Sequence, residues 1–240
     1  MIDPWSDGGP HCVSESSARR GPRVAATVAT VPRSPEPARR EILDAALRIF
    51  ATNRISAVSM REIRLAAKQR NGGALQYHFG DMDGLLRALI ERELPLLTDR
   101  RKTLLAVADL AGPDDLWSVA AVWALPYAQL ATGSERERYV VRFLSQLHDD
   151  TTLPLEKIAG LLADPTTDEA FRLLRERVPD ELSDEILSER VQIATNSFVH
   201  AASIRASGRA SNVSDEEFRT VLVDMFLGAL TVVTTKRVET

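Results

Sequence analysis

Cysteine is almost absent from this chain of 240 residues, which contains only Cys12. A lone cysteine has no partner for an intramolecular disulfide and supplies no cysteine-based zinc site. We therefore expect a protein of a reducing compartment and a cytoplasmic location. The chain is long enough for one large or two modest domains, with a hydrophobic core that needs neither disulfide nor metal.

Long hydrophobic runs are also missing. The longest apolar stretch, residues 119–131, contains Pro126 and Gln129 and is far shorter than the roughly 20 residues of a membrane-spanning helix. Asp3 and Asp7 precede any apolar run, a pattern unlike that of a secretory signal peptide. The sequence thus predicts a protein that is neither secreted nor inserted in a membrane.

Signatures of catalysis and nucleotide binding are lacking as well. The sequence contains no GxSxG, Walker A, GxGxxG or HExxH motif. The four histidines are scattered, and the run His148-Asp149-Asp150 is better explained as a solvated helix end than as a metal site. We predict no metal, no cofactor and no enzymatic activity.

Charge is distributed unevenly along the chain. The formal net charge is −4, but the first 86 residues hold more Lys and Arg than Asp and Glu, whereas the remainder is acidic. A local basic excess in an acidic chain is compatible with nucleic acid as a partner of the N-terminal part.

The apolar residues recur at helical rather than strand spacing, which predicts an all-α fold. The first clear stripe is Ile42, Ala45, Ala46, Ile49 and Phe50, on a helix that ends near Asn53. Further helices are predicted over residues 82–109, 114–131, 135–148, 154–163, 167–177, 180–207 and 215–236, separated by Gly- and Pro-containing breaks.

Between the first stripe and residue 82, two short helices flank a glycine-containing turn. Ser59 and Glu62 form a predicted capping box that opens the first of them. The paired glycines Gly72-Gly73 then break the helix, and a second helix follows over residues 74–79. Short helix, turn and short helix is the arrangement of a helix-turn-helix.

Three runs of residues in this region resemble the DNA-binding domain of TetR-type transcriptional regulators. They are Arg40-Glu41-Ile42-Leu43-Asp44-Ala45-Ala46, Ser59-Met60-Arg61-Glu62-Ile63 and Leu75-Gln76-Tyr77-His78-Phe79-Gly80, closed by Gly84-Leu85-Leu86. The resemblance covers about residues 38–90. It implies a helical homodimer with N-terminal domains that bind a DNA operator and C-terminal domains that bind a small effector.

On this reading the chain divides into a disordered leader (residues 1–33), a helix-turn-helix domain (34–84) and an effector-binding and dimerisation domain (85–240). The basic leader is a solvated tail or, alternatively, an arm that touches DNA phosphates or the minor groove.

In the helix-turn-helix, the second helix would enter the major groove. Gln76 and Asn71 have the amide geometry that pairs with adenine. Tyr77 and His78 are suited to donate hydrogen bonds to phosphates. The remaining predicted DNA-binding residues are Ser59, whose helix end can hold a phosphate, Gly73, which permits close backbone approach, and the cations Arg61 and Arg70.

Taken singly, His78 could instead be a core imidazole, and Gln76 or the arginines could be part of a solvated face. Lys68 stands where the family's turn often has glycine.

A small-molecule site is expected among the helices of the C-terminal domain. Its candidate residues are Trp117, Trp123, Tyr127, Arg142, Phe143 and His148. Pro126 would kink its helix and open space for a ligand, and Arg142 beside aromatic residues suggests an anionic ligand. Ordinary bundle core is the alternative for each residue.

The last two predicted helices carry more apolar residues than one buried face needs. The predicted dimer interface consists of Val191, Ala194, Phe198 and Ala201 on one helix and Leu222, Met225, Phe226 and Ala229 on the other. Pairing with the copy would give an isologous four-helix contact. Burial inside a single chain is the alternative.

The sequence therefore predicts a ligand-responsive homodimeric repressor that binds a palindromic operator in double-stranded DNA. Two alternatives stay open at this point. A helical enzyme would carry a catalytic cluster in its C-terminal half, and an architectural DNA protein would bind without sequence preference.

Overall fold

The computed structural model describes residues 35–69, 71, 73–151, 160–178, 182–209 and 212–231. These residues form helices and turns without any strand, which confirms the all-α prediction. The helices are α1 (Pro35–Phe50), a short 3-10 helix (Ile55–Ala57), α2 (Met60–Ala66), α3 (Ala74–Phe79), α4 (Met82–Ala111), α5 (Leu116–Ala131), α6 (Glu135–Asp149), α7 (Pro165–Arg177), α8 (Asp184–Ala206) and α9 (Asp215–Thr231). Residues 160–162 are also helical. The predictions made for residues 1–33 and for Arg70 and Gly72 lie outside the described residues.

Side-chain caps explain where several helices begin. At the start of α6, Ser134 accepts from the backbone amide of Glu137, whose carboxylate accepts from the Ser134 amide in return. Burial alone would raise the pKa of Glu137, but hydrogen bonds from the Ser134 hydroxyl and amide, together with the Arg100 guanidinium, lower it to about 2. Single-residue caps of the same kind open α4 (Asp81), α5 (Asp115), α7 (Asp164) and α8 (Ser183). The last cap explains why α8 starts later than the predicted residue 180.

The N-terminal helices share a small apolar core. The predicted stripe of α1 is buried at Ile42, Ala46 and Phe50. Phe50 also stacks on Phe143 of α6, with ring centroids 5.9 Å apart. The helix does not end in a left-handed residue at Asn53, because the Asn53 side-chain amide instead donates to the carbonyl of Ile49 at 2.9 Å.

Helix α5 is the centre of the C-terminal part, and it packs against α4, α8 and α9. Nearly every one of its residues is buried, including Val119, Val122 and Leu130. A helix that is apolar on all sides must be surrounded by others. Pro126 lies within α5 and Pro95 within α4, and both helices continue past them.

A chain of ion pairs joins three helices. Glu93 of α4 is 1% exposed and accepts from Arg136 of α6 at 3.0 Å and from Arg92 at 2.7 Å. Arg92 in turn donates to Asp44 of α1 at 2.7 Å. Glu93 is the buried member of this set, whereas the Asp44 and Arg136 side chains are about half exposed. Two arginines therefore keep the buried carboxylate paired, and the same contacts join α1, α4 and α6. The division proposed between residues 84 and 85 falls within α4 and stays a prediction.

Candidate nucleic-acid interface and internal cavity

The entry to α2 is built as the sequence predicts. Ser59 Oγ accepts from the Glu62 amide at 3.3 Å, and Glu62 Oε2 accepts from the Ser59 amide at 2.7 Å. The Ser59 hydroxyl also donates to Glu62 Oε2 at 2.7 Å, and this bond, followed by the one from the Ser59 amide, lowers the pKa of Glu62. The capping box therefore fixes the first turn of α2 and leaves Arg61 exposed beside it.

The turn between α2 and α3 contains a strained residue. Lys68 has φ = +53°, the left-handed conformation that glycine adopts more readily than residues with a Cβ. This is the position where the TetR-type pattern often has glycine. Next to it, the Gln69 side-chain amide donates to Glu41 of α1 at 2.9 Å, which ties the turn to the first helix.

Helix α3 presents one polar face and one buried face. Leu75 and Phe79 are buried, whereas Gln76 is exposed and Tyr77 is 80% exposed. His78 is half-buried, and its ring meets that of Tyr77 edge-on at 5.1 Å. Helix α3 therefore holds the Gln76 amide and the Tyr77 ring and hydroxyl in solvent while its other face is anchored in the core.

Asn71 organises the start of α3. Its side-chain oxygen accepts from the Gly73 amide at 3.0 Å, and its backbone carbonyl accepts from Ala74 at 3.3 Å. Asn71 and Gly73 are both exposed. The local bond still leaves the Asn71 side-chain NH2 and a second lone pair available for other contacts.

The junction between α3 and α4 is tight. Gly80 has φ = +74° and ends α3, and Asp81 then caps α4 by accepting from the Gly84 amide at 2.8 Å. A Cβ at Gly84 would lie 1.9 Å from the carbonyl oxygen of Phe79. The Arg39 guanidinium lies 5.5 Å from the centre of the Phe79 ring, which holds α1 against the end of α3.

A cavity of about 410 Å³ lies among the C-terminal helices. Apolar side chains from α4, α5, α6, α7 and α8 form most of its wall. They include Leu94, Leu97, Trp123, Tyr127, Leu144, Leu162, Phe171 and Val191. Its size and composition are those of a small-molecule site.

Three of the six predicted ligand-binding residues line this cavity, namely Trp123, Tyr127 and His148. The other three lie elsewhere. Phe143 is fully buried against Phe50, so it belongs to the contact between α1 and α6. Trp117 is 44% exposed at the start of α5, and Arg142 is half-buried on another part of α6.

The buried arginine of the cavity wall was not identified in the sequence analysis. Arg101 of α4 is only 3% exposed, and its Nη1 donates to Asp164 at 2.9 Å and to Thr167 at 2.8 Å. Arg101 follows Leu97 and precedes Leu105 on the buried stripe of α4. A cation within an apolar stripe is the sequence signal that could have identified it.

Two other titratable side chains of the cavity, His148 and Tyr127, are uncharged at neutral pH. Burial lowers the pKa of His148, although Asp149 and a hydrogen bond with Asn196 oppose the shift. Burial raises the pKa of the Tyr127 hydroxyl, with Arg101 opposing. Both shifts favour the neutral form of the side chain.

The predicted dimer interface needs correction at four residues. Val191, Phe198, Leu222 and Phe226 are buried within the single chain. Phe226 lies against Trp123 and Phe198 with ring centroids 5.9 and 5.8 Å apart, and Phe198 lies 5.3 Å from Tyr127. These aromatic residues form an internal core, so they offer no surface to a second copy. Ala194, Ala201 and Ala229 are half-buried and Met225 is exposed.

A different apolar face is exposed on the same two helices. Its members, here called the α8–α9 face, are Ile186, Ile193 and Ile204 on α8 and Val221 and Met225 on α9. Isolated exposed apolar residues are ordinary, but a group of five on neighbouring helices is typical of an interaction surface.

None of the described helices is both long enough and apolar enough to cross a membrane. Within the described ranges, no group of three or more His, Cys, Asp or Glu side chains is placed to hold a metal ion.

Comparison with known proteins gives one family match. Residues 42–89 match the model of the family described as bacterial regulatory proteins, tetR family. No curated protein matches the chain significantly. A solved structure of a putative TetR-family transcriptional regulator from Rhodococcus sp. is 17% identical, with a TM-score of 0.49, 81% of this chain covered and 100% of that one. Salmonella enterica GusR is 18% identical, with a TM-score of 0.43 and coverages of 82% and 97%.

The matched residues extend from α1 through the capping box, the turn and α3 into α4, where each element has the helix-turn-helix geometry described above. Residues 42–89 are thus a TetR-type helix-turn-helix domain, the part that binds DNA in bacterial regulatory proteins of this family.

Proposed function

We propose that the protein is a cytoplasmic, ligand-responsive homodimeric repressor that binds a palindromic operator through the major groove. The observation that carries this proposal is the exposed face of α3, where Gln76 and Tyr77 project from a helix anchored by Leu75 and Phe79. A reading helix must combine these two properties, because its polar face enters the groove while its other face fixes its angle.

Each exposed group has a chemical role in this proposal. Gln76 donates to and accepts from adenine, and Asn71 does the same with the parts of its amide that the turn leaves available. Tyr77, His78 and Arg61 contact phosphates, which sets the register of the helix on the duplex. Arg70 lies outside the described residues and stays a sequence-based prediction of a further cationic contact with DNA. Ser59 at the start of α2 and Gly73 at the start of α3 bring the backbone close to the DNA.

The homodimer rests on the α8–α9 face. Pairing of these residues with their counterparts in a second copy would bury five apolar side chains and give an isologous contact. Ala194, Ala201 and Ala229 are small enough to let the paired helices approach. A two-fold dimer places its two α3 helices about one turn of DNA apart, which demands a palindromic site.

Ligand response is supported by the position of the cavity. The wall residue His148 stands at the end of α6, and two residues later Asp150 accepts from the Ser56 amide at 2.8 Å. Ser56 immediately precedes the segment that caps α2. A ligand that favours one arrangement of the cavity wall would therefore favour one position of the reading helix, and it acts only by that difference in affinity.

Selection of the purified full-length protein on random duplex DNA tests the proposal. We expect a palindrome to be enriched. A Gln76→Ala variant should relax the preference at one base pair of each half-site, since one bidentate contact contributes about 1–3 kcal/mol of discrimination. An Arg61→Ala variant should instead weaken binding to all sequences and lower the dependence of log affinity on log salt by about one per lost contact.

The matched control is Lys102→Ala, which removes one exposed positive charge on α4 distant in sequence from the motif. It should leave both the enriched site and the salt dependence unchanged. Binding without any enriched sequence would favour an architectural DNA protein, and no binding at all would contradict the proposal outright.

A further inference from the structure

Three buried polar atoms that belong to residues of the cavity wall have no hydrogen-bond partner among the described residues. They are Arg101 Nε, Trp123 Nε1 and Thr195 Oγ1. The Arg101 and Trp123 side chains are each more than nine-tenths buried, and both atoms are pure donors. A buried N–H without an acceptor destabilises the protein, so a ligand that supplies acceptors to both donors gains affinity.

The charge of Arg101 is already balanced. Asp164 accepts from Arg101 at 2.9 Å, and its own oxygens are further occupied by the Thr166 amide at 2.8 Å and by the hydroxyls of Thr166 and Thr167. His148 is uncharged, and the remaining ionisable side chain at the wall, Asp168, is an exposed acid that supplies no positive charge. A ligand carboxylate would therefore enter a site without spare positive charge, at a high desolvation cost.

From these two observations we infer the chemical class of the effector: an uncharged, largely apolar molecule whose carbonyl-type oxygen accepts from Trp123 Nε1 and Arg101 Nε. This inference rests on the proposed ligand response for its biological meaning, but the binding itself is a separate property. It replaces the sequence-based expectation of an anionic ligand held by Arg142, since Arg142 does not line the cavity.

The test compares ligands of nearly equal shape on the purified full-length protein by calorimetry at pH 7. One set is 9-fluorenone, fluorene and 9-fluorenone-2-carboxylate, and the other is anthraquinone, anthracene and anthraquinone-2-carboxylate. Each ketone should bind about tenfold or more tightly than its hydrocarbon, which lacks the acceptor, and than its carboxylate. A hydrocarbon that binds as tightly, a carboxylate that binds more tightly, or no binding in either set would overturn the inference.

Two variants locate the effect. Trp123→Phe keeps an aromatic ring and removes the donor, so it should reduce the preference for ketone over hydrocarbon by about fivefold or more. Trp117→Phe is the matched control outside the cavity and should leave that preference unchanged. Asp164→Asn retains a good helix cap and frees the charge of Arg101, so it should shift selectivity toward the carboxylate by about tenfold.

Operator binding separates this inference from the proposed function. Ketone binding in the expected order without any change in operator affinity would support the ligand class and reject the ligand response. Release of the operator by fluorene and fluorenone at equal concentrations would support the ligand response and reject the proposed ligand class.

Discussion

At the scale of single residues, the tight junction between α3 and α4 requires glycine at position 84, because there is no space for a Cβ. A Cβ there would meet the backbone carbonyl of Phe79, which has no flexible end that could move away. Gly84→Ala must therefore displace the end of α3 or the start of α4. We expect a loss of about 1–3 kcal/mol in the free energy of unfolding, together with weaker operator binding. Urea denaturation and operator titration measure the two effects.

The control for this substitution is Gly160→Ala, at a helical position with no atom within 4 Å of the added Cβ. Alanine is the better helix former, so stability should be unchanged or higher by up to about 1 kcal/mol. Equal stability of Gly84→Ala and the wild type would show that the junction relaxes around a side chain.

Residues with a local cause were predictable from the sequence, and residues placed by distant partners were not. The capping box of Ser59 and Glu62 involves positions three apart, and the structure contains it. In the sequence, Arg101 and Arg142 cannot be told apart, because each is an arginine on a helix that carries an apolar stripe. Only the packing of α4 against α7 buries Arg101 in the cavity wall. There it is held by Asp164, which is 63 positions away in the sequence.

At the scale of the helices, neighbouring residues of α9 have opposite environments. Phe226 is fully buried and Met225 is 54% exposed. The sequence shows that α8 and α9 are apolar on more than one side, but hydrophobic spacing does not say which side meets the same chain. That choice is made by Trp123 and Tyr127 of α5, whose rings meet Phe226 and Phe198.

The α8–α9 face leads to a prediction about assembly. Met225→Glu should shift the protein from dimer to monomer, because two negative charges would lie in the paired face without a partner. The fold of the monomer should persist, since the side chain is already half in solvent. Sedimentation velocity across a range of protein concentrations measures the shift.

Leu110→Glu provides the comparison, because it makes the same chemical change at an apolar residue of α4 that is 88% exposed. It should leave the dimer intact. The assignment of the interface would be wrong if Leu110→Glu dissociated the dimer while Met225→Glu did not.

At the scale of the whole molecule, few polar links between described residues hold the DNA-binding segment to the C-terminal helices. One of them is direct: buried Asp150, at the end of α6, accepts from the Ser56 amide. These residues are 94 positions apart, and the sequence contains no local pattern that relates them. His148, which lines the cavity, lies two residues before Asp150, and Ser59, which caps α2, lies three residues after Ser56. The hydrogen bond between Asp150 and Ser56 therefore connects the cavity wall to the start of α2.

Asp150→Asn should weaken the hydrogen bond to the Ser56 amide while keeping the size and shape of the side chain. The neutral amide oxygen still accepts, but a bond to a charged acceptor is stronger by about 1 kcal/mol. We therefore expect hydrogen exchange at the Ser56 amide to accelerate about fivefold and operator affinity to fall, since α2 is held less firmly at its start. Asp149→Asn is the neighbouring control, because Asp149 contacts Ser145 and His200 rather than the DNA-binding segment. Equal effects of the two substitutions would mean that loss of negative charge at the end of α6, and not the bond to Ser56, governs the position of the reading helix.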